Sequence, residues 1–152
     1  MRFTWLCILG AALVAAPPAA AQITVTPIRD LAFGPVIVGI PTHIGPSHPT
    51  RSGQWRLTAP LGTRVRFRFT LPTRLNGPAG ATLPISFANN DGIASGTAPN
   101  SVPATFNPRA TTVFQIVTST TINIWLGGTV SPAGNQRQGN YIGTITFTVT
   151  VL

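Results

Sequence analysis

The sequence predicts an all-β fold: an antiparallel two-sheet sandwich of about seven or eight short strands behind a signal peptide. Fifteen Gly and fifteen Pro are spread along the 152 residues, which argues against long helices. Apolar and polar residues alternate with period two rather than 3.6 over most of the chain. Turn-forming residues recur between the alternating runs, so each strand is short. A closed barrel is the alternative arrangement of the same strands.

The first segment reads as an export signal. Met1–Trp5 carries Arg2, residues 6–16 (LCILGAALVAA) are apolar, and Pro17-Pro18-Ala19-Ala20-Ala21 presents small residues before Gln22. That tripartite pattern marks a secretory leader, and its apolar run is too short to span a bilayer. The division is then 1–21 as signal peptide and 22–152 as one sandwich domain, secreted, periplasmic or at the cell surface. No transmembrane segment is expected in the mature chain. The single cysteine, Cys7, leaves with the leader, so the mature domain has no disulfide and no thiolate chemistry.

In the mature chain, residues 22–28 read as a strand ended by Pro27, and 31–38 (LAFGPVIV) as a second strand bent at Gly34-Pro35. Residues 40–53 read as a loop. Residues 54–59 and 63–71 read as a hairpin joined by Pro60-Leu61-Gly62. A short strand over 83–88 runs into the Asn89-Asn90-Asp91-Gly92 turn, and 92–109 reads as an irregular connection. Residues 111–117 and 121–126 read as another pair of strands, and 127–140 as a linker. Residues 141–152 alternate most clearly, with Tyr141, Ile145, Phe147 and Val149 on one face and threonines on the other. The expected core is Ile23, Val25, Phe33, Leu57, Val65, Phe67, Phe69, Ile85, Phe87, Phe114, Ile116, Ile124, Ile145, Phe147 and Val149. Trp125 is out of phase with Ile122, Ile124 and Leu126, which places it facing outward, on a sheet edge or under a loop.

The charge pattern excludes several function classes. All ten basic residues are Arg, and the only acids are Asp30 and Asp91. Without Arg2 the mature chain sets nine Arg against two Asp, a net charge of +7. Most arginines therefore lack a carboxylate partner and face water, aromatic rings or an external anion. The two aspartates fall in unrelated turns, so a paired-carboxylate hydrolase is disfavoured. No Gly-x-Ser-x-Gly elbow occurs, and Gly127-Gly128 precedes no helix, so neither a hydrolase nor a nucleotide fingerprint is present. Asp30 beside Arg29 reads as a turn or local ion pair. His43 and His48 read as solvated loop residues without enough further ligands for a zinc site. No catalytic residue, metal site or cofactor is expected.

Pairing 54–59 with 63–71 as a hairpin sets Leu57 opposite Val65 and Arg56 opposite Arg66. Arg56, Arg64, Arg66 and Arg68 then share one outer sheet face, a candidate contact for anionic polysaccharide or another polyanion.

Two groups of residues carry a family resemblance. One is Leu31-Ala32-Phe33-Gly34. The other is Leu126-Gly127-Gly128-Thr129-Val130-Ser131-Pro132 followed by Gly139-Asn140-Tyr141-Ile142-Gly143-Thr144. Together they resemble a bacterial family of secreted domains of unknown function similar to spore coat protein U-like and pilin-like proteins. The resemblance implies an immunoglobulin-like sandwich with a structural or assembly role and supplies no catalytic residues. The chain departs from pilin-like relatives in lacking a mature disulfide and in ending Val151-Leu152.

The first functional expectation is a non-catalytic structural subunit that self-associates or joins neighbouring subunits. The second is a secreted module for an anionic surface polysaccharide. The strand over 141–152 carries no charge and no Pro, the devices that usually protect an edge. It must be central, covered or paired with another chain. The candidate assembly residues are Ile23 and Val25, on a strand free to be donated or to pair beside the terminal strand, and Tyr141, Ile145, Phe147 and Val149.

Overall fold

The computed structural model describes residues 22–95, 104–115 and 120–152. Residues 1–21, which the sequence leads one to expect as a signal peptide, the side chain of Phe114 and all of Ile116 lie outside the described residues. Among the described residues twelve strands are formed, more than the seven or eight expected. They are β1 (Thr24–Arg29), β2 (Thr42–Ile44), β3 (Gly53–Thr58), β4 (Arg64–Thr70), β5 (Arg74–Asn76), β6 (Thr82–Ser86), β7 (Gly92–Ser95), β8 (Ala104–Phe106), β9 (Thr112–Gln115), β10 (Thr121–Leu126), β11 (Gly128–Val130) and β12 (Thr146–Val151). All pairings are antiparallel. They give a five-stranded sheet ordered β1-β3-β10-β7-β8, a four-stranded sheet ordered β2-β11-β6-β5 and a three-stranded sheet ordered β12-β4-β9.

The five- and three-stranded sheets pack face to face. Trp55 on β3 meets Phe69 on β4 edge-on at 5.1 Å, and Phe106 on β8 meets Phe67 on β4 edge-on at 5.2 Å. Phe147 on β12 stacks on Phe69 at 4.8 Å. These rings belong to one contiguous core that also takes in Ile44, Leu83, Ile85 and Val130 of the four-stranded sheet. Burying each such side chain contributes about 1.5–3 kcal/mol before ordering entropy is subtracted. Alternation is cleanest on β4, where Val65, Phe67 and Phe69 are buried and Arg64, Arg66, Arg68 and Thr70 are exposed.

The expected hairpin of 54–59 with 63–71 is not formed. The turn closes, with Thr63 N–H donating to the Pro60 carbonyl, but β3 pairs with β1 and β10 while β4 pairs with β12 and β9. The two strands arch over the core from one sheet to the other. Both carry an inward apolar row, and those rows pack face to face instead of lying side by side. The strands at 112–115 and 121–126 divide between the two sheets for the same reason.

Other segments also differ from expectation. Residues 31–38 form no strand: only Phe33 is buried, and Gly34 adopts φ +70° against the Arg51 guanidinium, which turns the chain. The loop, connection and linker at 40–53, 92–109 and 127–140 contain β2, β7 with β8, and β11 respectively. These pieces are three or four residues long, below the length at which period two is visible. Of the 141–152 run, 146–151 is strand, and Ile142 makes an isolated bridge to Asn76. Trp125 is only 2% exposed. It lies on β10, a central strand buried on both faces, so neither an outward position nor a sheet edge describes it. Of the expected core, Val25 is exposed, while Ile23, Ile145, Phe147 and Val149 are half-buried.

Candidate functional site: an open groove and a basic sheet face

The half-buried residues mark a seam. Among the described residues β1 and β12 are each hydrogen-bonded to one neighbouring strand, at the ends of their sheets. Phe147 of β12 reaches Trp55 of β3 at 5.9 Å, so β12 lies over β3 and on the same side of the sandwich as β1. The residues these edge strands turn inward are left incompletely covered. Pro27 lies opposite Trp55, and a register shift follows before Arg29, so the strand continues past its proline with a bulge. The 22–28 segment thus pairs within its own chain, but beside β3 and not beside the terminal strand.

An open groove of about 1070 Å³ runs beside this seam. Phe33, Trp55, Leu83 and Ile145 are among its walls, with Val38 and Ile142 at 47% and 73% exposure. The two groups of motif residues meet here, since Phe33-Gly34 and Gly139, Tyr141 and Gly143 all line it from positions about a hundred residues apart. Tyr141 is fixed by donating its hydroxyl to the Arg137 carbonyl and accepting from Gln136 Nε2, both at 2.6 Å. Gly77 leaves the space its ring occupies; a Cβ there would fall 2.6 Å from Tyr141 Cδ1.

The basic residues separate. Arg64, Arg66 and Arg68 project from the outer face of β4, flanked by Thr150 and Thr148 on β12 and by Val113 on β9. Arg56 lies on the outer face of β3 in the opposing sheet, so it does not join them. The loss of the hairpin accounts for this. Arg29 is also used differently from expectation. It donates to the carbonyls of Ser52 and Pro49 and to Ser52 Oγ, and no ion pair to Asp30 is present among the described residues.

His43 sits on β2 with Nδ1 2.9 Å from Thr129 Oγ1 and Nε2 3.9 Å from Asp91 Oδ1. This hydroxyl–imidazole–carboxylate order was not legible in the sequence, because β11 alone brings Thr129 to His43. The 3.9 Å gap is too long for a hydrogen bond that would orient the ring. The buried Asp91 carboxylate instead accepts the Ala88 N–H at 2.7 Å and holds the turn before β7. His48 lies in a loop, as expected, but it is half-buried there, and Nδ1 accepts the N–H groups of Thr50 and Arg51. Among the described residues no group of three or more His, Cys, Asp or Glu is placed to hold a metal ion, and no helix is long and apolar enough to cross a membrane.

No family model, curated protein or solved structure matches the chain.

Proposed function

We propose that this is an exported, non-catalytic structural subunit of pilin-like or coat-like type, which joins copies of itself by adding strands at the β12 edge. The observation that carries the reading is that edge. Among the described strands β12 pairs only with β4; it has the sequence TFTVTV without charge or proline, and turns half-covered Phe147 and Val149 toward the core. Edges of this kind template pairing with another chain unless they are protected.

The occupant proposed is β1 of a second copy. Its Thr24 and Thr26 would extend the outer threonine row of β12, and Ile23 and Val25 the inner apolar row. Every β1 residue except Arg29 is exposed, and its outer edge is free among the described strands. Pairing β1 of one copy with β12 of the next is heterologous and extends as a chain. An immunoglobulin-like classification, the family resemblance and export through residues 1–21 belong to the same proposal.

Light scattering across a range of concentrations tests it. The purified protein should form concentration-dependent oligomers that a synthetic 22–28 peptide disperses by capping β12. Val149→Lys, which places a charge inward on that edge, should leave a folded monomer, whereas Val113→Lys on β9 should still associate. A monomer at every concentration, or association abolished only by the β9 change, would overturn the assignment.

A further inference from the structure

We propose that Arg64, Arg66 and Arg68 form a binding row for a linear anionic polysaccharide lying along β4. Alternate residues on a strand are about 6.8 Å apart, so the row extends over about 13–14 Å. It sits on the middle strand of the three-stranded sheet, all three residues exposed. No hydrogen bond or ion pair holds their side chains among the described residues, in contrast with Arg29, Arg51 and Arg109. Neither acid can neutralise them: Asp91 is buried beside His43, and Asp30 borders the groove. Three like charges in file repel one another, and a bound anion relieves that repulsion. Guanidinium forks match the planar oxygens of carboxylates and also bind sulfates.

The surroundings favour a sugar polymer. Thr111, Thr148 and Thr150 line a shallow cleft of about 420 Å³ with Arg66 and Arg68. Their hydroxyls both donate and accept, as sugar hydroxyls require. Phe67 also borders this cleft, but it is 2% exposed and its ring packs against Phe106 and Phe147 in the core. The outer face has no exposed aromatic among the described residues on which a nucleic-acid base would stack.

Titration calorimetry with heparin, alginate and a single-stranded DNA oligonucleotide at low salt tests the proposal. Two triple variants carry the same charge loss: Arg64→Ser/Arg66→Ser/Arg68→Ser on the row, and Arg56→Ser/Arg74→Ser/Arg137→Ser away from it. Removing three exposed ion contacts should weaken polysaccharide binding roughly tenfold or more. The second variant should stay within about twofold of wild type, since exposed charges off the row are largely screened. Circular dichroism should show both variants folded. Equal weakening in the two variants would reduce the effect to net charge and overturn the site. Absence of binding to both polysaccharides, or tighter binding of DNA than of either, would overturn the ligand.

Discussion

Replacing Gly127 by alanine probes the point where the chain leaves the five-stranded sheet for the four-stranded one. Gly127 lies between β10 and β11, and its N–H donates to the Asp91 carbonyl at 2.7 Å. An added Cβ would fall 2.8 Å from Pro46 N and 2.9 Å from Pro46 Cδ, with the Ile44 carbonyl oxygen closer still. These are backbone and ring atoms next to β2, so they cannot rotate aside as a flexible side chain would. Forcing a methyl group into such a contact costs about 1–3 kcal/mol. The shift also strains the bond to Asp91, worth about 0.5–1.5 kcal/mol. Alanine offsets about 0.4–1 kcal/mol by restricting the unfolded chain. The net loss is about 2 kcal/mol, a large part of the 5–15 kcal/mol that typically holds a domain. Urea unfolding should show a midpoint lowered by about 1 M with an unchanged slope. Gly134→Ala is the matched control, because a Cβ there meets nothing within 4 Å. It should change stability by less than about 0.5 kcal/mol or raise it slightly. Equal stability of the two variants would refute the close-approach argument.

Phe67→Ala should lose about 3–5 kcal/mol in the same assay, because Phe67 is buried and edge-on to Phe106. A loss below about 1 kcal/mol would mean that the two sheets do not meet at this ring. Ser52→Ala should cost about 1–3 kcal/mol: its buried hydroxyl donates to the His48 carbonyl at 2.7 Å and accepts from Arg29 at 2.9 Å. Asp91→Ala should cost about 2 kcal/mol by leaving the Ala88 N–H without its acceptor, whereas exposed Asp30→Ala should change stability by less than about 0.5 kcal/mol. Similar unfolding curves for the two aspartate variants would contradict the turn-holding role.

The sequence by itself determined the all-β class and most of the core. Period-two alternation directs Val65, Phe67 and Phe69 inward and Arg64, Arg66 and Arg68 outward whatever strand lies beside them. The same local rule makes Leu57, Ile85, Phe87 and Ile124 buried as expected. Strand partners were decided only by the tertiary structure. Two adjacent strands joined by a tight turn can pair side by side or arch across a core, and both arrangements bury the same inward row. The choice moved Arg56 to the opposite sheet and removed it from the basic row. Trp125 was unreadable for a related reason: it shares a face of β10 with Thr121 and Asn123, polar residues that mark a face as outward, and only the fold shows that this face is covered too. The groove required the fold as well, since Phe33-Gly34 and Gly139 to Gly143 become one surface only when distant segments meet. Side-chain direction is set within two residues of chain, whereas neighbours are set by long-range closure of the core.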